Sequence, residues 1–138
     1  MIMADFKKAI TKVLKSEGGY ANDPDDLGGE TYKGISRKNW PEWEGWKIVD
    51  REKKNKNFPK SLDSLVFLID EVLKFYKVNF WDKVWGDKIN KQLVAEMLFD
   101  SAVNEGVSPA IKRAEEVAGL PKTGKMSNEL LIKINSMV

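Results

Sequence analysis

Two carboxylates, Glu17 and Asp26, lie close together in a glycine-rich part of the sequence. Glu17 opens the run Glu-Gly-Gly-Tyr, and eight residues separate it from Asp26. Cleavage of a bond between two sugars needs two carboxyl groups, one kept protonated and one kept ionised. The 138-residue chain has no histidine and no cysteine, so carboxyl groups are almost the only side chains that can move a proton near neutral pH. The pair therefore indicates acid–base hydrolysis of a glycan bond.

The surroundings of Glu17 suit a general acid. Apolar residues at helical spacing predict an amphipathic helix that ends at Gly18-Gly19, directly after Glu17. The free carbonyl groups at the end of a helix and the ring of Tyr20 both disfavour a charged carboxylate there, so we expect a raised pKa for Glu17. A raised pKa is what a general acid needs at neutral pH.

The loop after Glu17 offers the second carboxylate. Asp26 lies in a loop with many free backbone N–H groups, whose hydrogen bonds would keep it ionised, and the hydroxyl of Thr31 could position a water. Asp23, Asp25 and Glu30 are rivals for the second-carboxylate role. The sequence does not rank these candidates.

Substrate contacts are predicted from aromatic and amide side chains. The flat rings of Tyr20 and Tyr32 can cover the apolar side of a sugar, and both lie in the loop region. Asp100 and Asn104 are four residues apart, share a helix face and interrupt an apolar stretch. We expect this polar pair to be buried and either to tie its helix to the N-terminal loop or to face the amide groups of a substrate.

The remaining pattern predicts a mainly α fold, a single lysozyme-like domain with a small irregular or β-hairpin N-terminal lobe. Residues 20–36 are turn-rich, a short helix is expected near Pro41, and the basic run Arg51–Lys60 reads as a solvated linker that could attract an anionic cell wall. Helices are predicted at Ser61–Val78, Lys91–Asn104, Ser108–Gly119 and Ser127–Met137.

Composition excludes several classes of function. A net charge of +2 is too balanced to indicate nucleic-acid binding, and without histidine or cysteine there is no Ser-His-Asp or Cys-His nucleophile and no familiar zinc ligand set. No metal or cofactor is expected, nor insertion into a membrane, and we expect a monomer. With no signal peptide apparent, we expect synthesis in the cytoplasm and action in the periplasm or cell wall after holin-type or other non-classical release.

Much of the sequence resembles one family. The motifs of residues 17–36, with Glu-Gly-Gly-Tyr, Asn-Asp-Pro, Gly-Gly-Glu-Thr and Lys-Gly-Ile-Ser, are similar to the signature of glycoside hydrolase family 108, the N-acetylmuramidases of phages and bacteria. Residues 80–106 are similar to the predicted peptidoglycan domain that usually follows. The resemblance implies a phage endolysin-like enzyme with a catalytic part at 1–86 and a peptidoglycan domain-like part at 87–138. It further implies that Glu17 is the catalytic acid and peptidoglycan glycan strands the partner.

The spacing also resembles that of the phage lysozymes, which place eight residues between Glu and Asp and five between Asp and Thr. Glu17 and Asp26 keep the eight, but only four residues separate Asp26 from Thr31. The reaction predicted is cleavage of the β-1,4 bond between N-acetylmuramic acid and N-acetylglucosamine. A lytic transglycosylase and a non-catalytic peptidoglycan-binding module are the alternatives.

Overall fold

The computed structural model describes residues 2–23, 25 and 29–136. The predicted mainly α class is confirmed, since this part of the chain contains six α-helices and one three-stranded antiparallel sheet. The helices are α1 Phe6–Ser16, α2 Gly45–Glu52, α3 Val66–Tyr76, α4 Gln92–Glu105, α5 Val107–Ala118 and α6 Asn128–Ser136. The strands are β1 Tyr20–Asn22, β2 Glu30–Tyr32 and β3 Ile35–Ser36.

The chain divides into two compact units. One is Lys12–Phe75, and the other combines Met1–Thr11 with Tyr76–Val138. None of the helices in the described part has the length and apolarity needed to cross a bilayer.

The unit Lys12–Phe75 contains the sheet. Tyr20 pairs with Tyr32 across β1 and β2, and β2 turns back into β3 through Lys33 and Gly34, whose φ angles are +47° and +83°. Two consecutive positive φ angles are typical of the tight turns that join antiparallel strands. Side chains alternate between the two faces of a strand, so Tyr20, Glu30 and Tyr32 share one face of the sheet.

That face of the sheet belongs to the core of its unit. Tyr32 and Ile35 are completely buried. The indole N–H of Trp46 donates to the backbone oxygen of Trp40 at 2.9 Å, which ties the start of α2 to the segment after β3. Buried core residues of this unit also include Val49, Leu62, Leu68 and Val72.

The second unit is built around Trp81, which is fully buried. Its ring packs edge-on against Phe99 and tilted against Phe6, at centroid distances of 5.5 and 5.6 Å. Its indole N–H donates to Asp87 at 2.8 Å, and Gly86 lies so close to the ring that a Cβ atom would overlap it. The side chain therefore anchors the turn after α3 to α4.

Two predicted helices differ from the observed ones. The helix expected from Ser61 is a short 3-10 turn, Lys60–Ser64, followed by α3, and the helix expected near Pro41 begins only at Gly45. Two apolar residues of α3, Val66 and Ile69, are exposed, because α3 packs through Leu68, Val72, Phe75 and Tyr76. Likewise Leu93 and Met97 of α4 are exposed, since its buried stripe is Ala95, Leu98, Phe99 and Ala102.

The two C-terminal helices agree with the sequence pattern. Gly119 ends α5 with a φ of +75°, as glycine commonly does after a helix. The Ser127 hydroxyl accepts the backbone N–H of Leu130 at 3.1 Å and caps α6.

Candidate active site

Glu17 directly follows α1 and precedes β1, whereas the sequence predicted it inside the end of the helix. Gly18 has a φ of +32°, a conformation that glycine adopts readily, and it turns the chain from the helix into the sheet. The Glu17 side chain is half-buried. Its carboxylate has no hydrogen bond or ion pair with any other residue that the structure describes. Neither oxygen of the Glu17 carboxyl group is therefore bonded to those residues.

Glu30 is bound on both oxygens. Oε2 accepts the hydroxyl of Tyr20 at 2.5 Å and the ammonium of Lys53 at 2.7 Å, while Oε1 accepts a guanidinium N–H of Arg37 at 2.8 Å. Only 10% of its side chain is exposed. Burial by itself opposes ionisation, but the hydrogen bonds from Lys53, Tyr20 and Arg37 outweigh it and hold the pKa of Glu30 below its ordinary value.

The same cluster continues into α2. Arg37 donates two parallel hydrogen bonds to Asp50, at 2.7 and 2.8 Å, and Lys53 pairs with Asp50 at 3.1 Å. The hydrogen bonds from Arg37 and Lys53 hold the pKa of Asp50 far below its usual range, and the hydrogen bonds of Lys53 to Glu30 and then to Asp50 raise the pKa of Lys53. We call Tyr20, Glu30, Arg37, Asp50 and Lys53 the Glu30 cluster. It joins β1, β2, the segment after β3 and α2 of one unit, and so fixes the strand that follows Glu17.

This geometry decides against one of the rival second carboxylates. Glu30 already accepts hydrogen bonds on both oxygens from three donors, two of them cations. A general base needs a free oxygen directed at a water. The arrangement suits a structural carboxylate, and Glu30 is not placed to activate a water.

Tyr20 and Tyr32 have different environments. Tyr20 is half-buried, and its ring contacts Phe58 edge to face at a centroid distance of 4.9 Å. Burial and the hydrogen bond to Glu30 raise the pKa of its hydroxyl. Tyr32 is 0% exposed and donates to Asp63 at 3.1 Å. A ring with no exposed surface cannot stack on a sugar, so the prediction for Tyr32 needs correction: its ring belongs to the core.

Thr31 lies in the middle of β2, opposite Ala21 and Ser36. Because side chains alternate along a strand, it faces the side of the sheet away from Glu30 and Tyr20. Thr31 is half-buried there. Asp26, the predicted partner of Glu17, lies outside the described residues. Asp25 is exposed, and its backbone N–H donates to Asp23 at 2.9 Å.

Asp100 and Asn104 lie on α4, in the unit built around Trp81. Both are exposed, which corrects the expectation that they form a buried polar pair. Exposed polar residues need no protein partner, because water satisfies them.

The sequence did not predict that Arg37, Asp50 and Lys53 hold the sheet beside Glu17. The basic run predicts a solvated linker at Lys53, but α2 extends to Glu52 and brings Lys53 beside Asp50. The spacing of Asp50 and Lys53, which suits an ion pair on one helix face, was the available signal. The part of the chain that the structure describes contains no cluster of acidic residues arranged to hold a metal ion.

Comparison with known proteins identifies the family. Residues 10–106 match the family described as Glycosyl hydrolase 108, a range that begins within α1 and includes α4. The solved structure of SagA from Brucella abortus is 30% identical and has a TM-score of 0.68, over 96% of this chain and 70% of that chain. No curated protein sequence matches. The likeness to SagA supports the predicted lysozyme-like fold. The chain belongs to glycosyl hydrolase family 108 and is a glycoside hydrolase that acts on peptidoglycan.

Proposed function

We propose that this protein is an N-acetylmuramidase that hydrolyses the β-1,4 bond between N-acetylmuramic acid and N-acetylglucosamine, with Glu17 as the general acid. The observation that carries the proposal is the position of Glu17. It follows α1, its carboxylate is bound to no other described residue, and the adjoining strand is fixed by the Glu30 cluster. A proton donor needs a fixed backbone and an uncommitted carboxyl group.

The reaction uses one proton donor and one water. Glu17 gives its proton to the glycosidic oxygen, and the bond from that oxygen to C1 of N-acetylmuramic acid breaks through an oxocarbenium-like transition state. Water adds to C1 and loses a proton to a second carboxylate, for which we propose Asp26. Thr31 is the proposed residue that orients the water, and Tyr20, Asp100 and Asn104 are the proposed substrate contacts.

Product analysis tests the reaction type. We expect purified protein, incubated with peptidoglycan, to release muropeptides that end in reducing N-acetylmuramic acid, because water is the nucleophile. Mass spectrometry before and after borohydride reduction detects these ends. Anhydro-muramic ends would instead establish a lytic transglycosylase. Binding to sedimented peptidoglycan with no bond cleavage would indicate a non-catalytic peptidoglycan-binding module.

Substitution tests whether Asp26 or one of its neighbours is the second carboxylate. We expect Asp26→Asn to lower the rate of cleavage at least about tenfold, because a neutral amide neither accepts the proton of water nor stabilises a developing positive charge. Asp25→Asn and Asp23→Asn are the matched controls and should retain most activity. A large loss in one of the controls and none in Asp26→Asn would move the role to that residue.

A further inference from the structure

A groove of about 560 Å³ lies in the segment that follows the Glu30 cluster. It is formed by residues 56–61 and Ser64, and its volume falls in the range of small-molecule sites. We propose that this groove is a subsite for the carboxylate groups that peptidoglycan carries on muramic acid or on its stem peptide. The proposal rests on the proposed function in taking peptidoglycan as the ligand.

The charge of the groove is positive. Lys56 and Lys60 line it, and none of its lining residues is acidic. Both lysines are exposed, and neither forms an ion pair with another described residue. Lys53, a few residues earlier, is already bound to Glu30 and Asp50. The basic run of the sequence therefore has two parts. Lys53 belongs to the Glu30 cluster, whereas the ammonium groups of Lys56 and Lys60 are available for a ligand in the groove.

The groove also offers neutral hydrogen-bonding groups. Asn57, Ser61 and Ser64 are among its lining residues. The hydroxyl oxygen of Ser61 is buried and has no hydrogen-bond partner among the described residues, whereas Ser64 donates to the backbone oxygen of Ser61 at 3.3 Å. Because the Ser61 oxygen is shielded from solvent, the exposed residues Asn57 and Ser64 are the neutral groups that a ligand in the groove can reach. Two ammonium groups beside amide and hydroxyl groups suit a carboxylate, which accepts several hydrogen bonds at once.

The groove adjoins the catalytic loop. Phe58 forms part of its wall, and the Phe58 ring contacts Tyr20 at a centroid distance of 4.9 Å. Tyr20 ends the Glu-Gly-Gly-Tyr motif that Glu17 begins. Both residues belong to the unit Lys12–Phe75. The cationic groove therefore lies beside the loop at which a glycan strand is held near Glu17.

The chemistry of the polymer gives two sources of carboxylate. In intact peptidoglycan the lactyl group of muramic acid is joined to the stem peptide, so the free carboxylates are those of the peptide. When an amidase removes the peptide, the lactyl carboxylate becomes free. N-acetylglucosamine carries neither. A subsite for carboxylates would therefore distinguish muramic acid residues and their peptides from the neutral sugars between them.

The test compares two double variants, each of which removes two positive charges. Lys56→Gln/Lys60→Gln changes the groove, and Lys38→Gln/Lys54→Gln changes exposed lysines of the same unit that do not line it. Each pair is made in the Glu17→Gln background, so that binding is measured without turnover. Three polymers are used: intact peptidoglycan, amidase-treated glycan, and amidase-treated glycan whose carboxyl groups have been converted to neutral amides.

We expect the groove variant to bind one or both carboxylate-bearing polymers about fivefold more weakly, a loss of about 1 kcal/mol of binding free energy for the two lysines together, because contacts between exposed charges are weak. The polymer affected identifies the source as peptide or lactyl group. Neutral glycan should be bound equally by groove and control variants. Equal weakening by both double variants, or an unchanged affinity for both carboxylate-bearing polymers, would overturn the subsite. Because these measurements need no cleavage, they stand apart from the product analysis that tests the muramidase.

Discussion

Replacement of Glu17 by Gln is expected to lower the rate of peptidoglycan cleavage about a thousandfold, the usual size of a general acid's contribution. Gln has nearly the same shape but no acidic proton, so the leaving oxygen would depart unprotonated. The fold should be unchanged, because the Glu17 carboxylate makes no hydrogen bond or ion pair with the rest of the described chain. The rate is measured from the reducing ends released per unit time.

Glu42→Gln is a suitable control, since Glu42 is an exposed glutamate of the same unit and its replacement makes the same chemical change in the side chain. The control should cleave at the wild-type rate, and both variants should unfold at the wild-type temperature. If Glu17→Gln keeps more than about a tenth of the activity while remaining folded, Glu17 is not the acid, because loss of general acid catalysis costs at least about a hundredfold.

The sequence was sufficient to predict the secondary structure on both sides of Glu17. The apolar stripe of α1 and the glycines after it predicted a helix that includes Glu17 and ends at Gly18-Gly19, and α1 ends one residue earlier, at Ser16. The turn residues after Tyr20 predicted a small irregular or β-hairpin lobe, and the structure has the sheet β1–β3 there. These features depend on local preferences, such as glycine at a helix end and tight turns between strands, and local preferences can be read from neighbouring residues.

Features that depend on tertiary contacts were not predicted. Tyr32 is an aromatic residue of a type that can bind a sugar, but the pairing of β2 with both neighbouring strands places its ring in the core. Lys53 looked like one of several solvated lysines, and only the packing of α2 beside β2 brings it to Glu30. Residues far apart in sequence form such contacts, and one sequence alone does not show which of them meet.

Removal of the Glu30 side chain is expected to destabilise the protein by about 3 kcal/mol, because a nearly buried ion pair that loses one partner leaves the others uncompensated. In Glu30→Ala the hydroxyl of Tyr20 loses its acceptor, and Lys53 and Arg37 keep Asp50 as their remaining carboxylate among the described residues. Urea unfolding at neutral pH measures the free-energy change. Asp50→Ala is the comparison, and we expect a loss of about 1 kcal/mol, since 44% of its side chain is exposed. Similar small losses in both variants would mean that the cluster does not hold the sheet.

The pH dependence of the same variant tests the cause. The pKa of folded Glu30 is lowered from its ordinary value of 4.5, so the unfolded chain binds its proton first as the pH falls. The stabilisation by the ionised carboxylate is therefore fully present above pH 4.5 and is lost as the pH falls through the lowered pKa. The difference in unfolding free energy between wild type and Glu30→Ala should be greatest at neutral pH and shrink towards about pH 3, where a free carboxyl group is mostly protonated. A difference that stayed constant would mean that the loss comes from packing, and that the charge of Glu30 does not hold β1 and β2 beside Glu17.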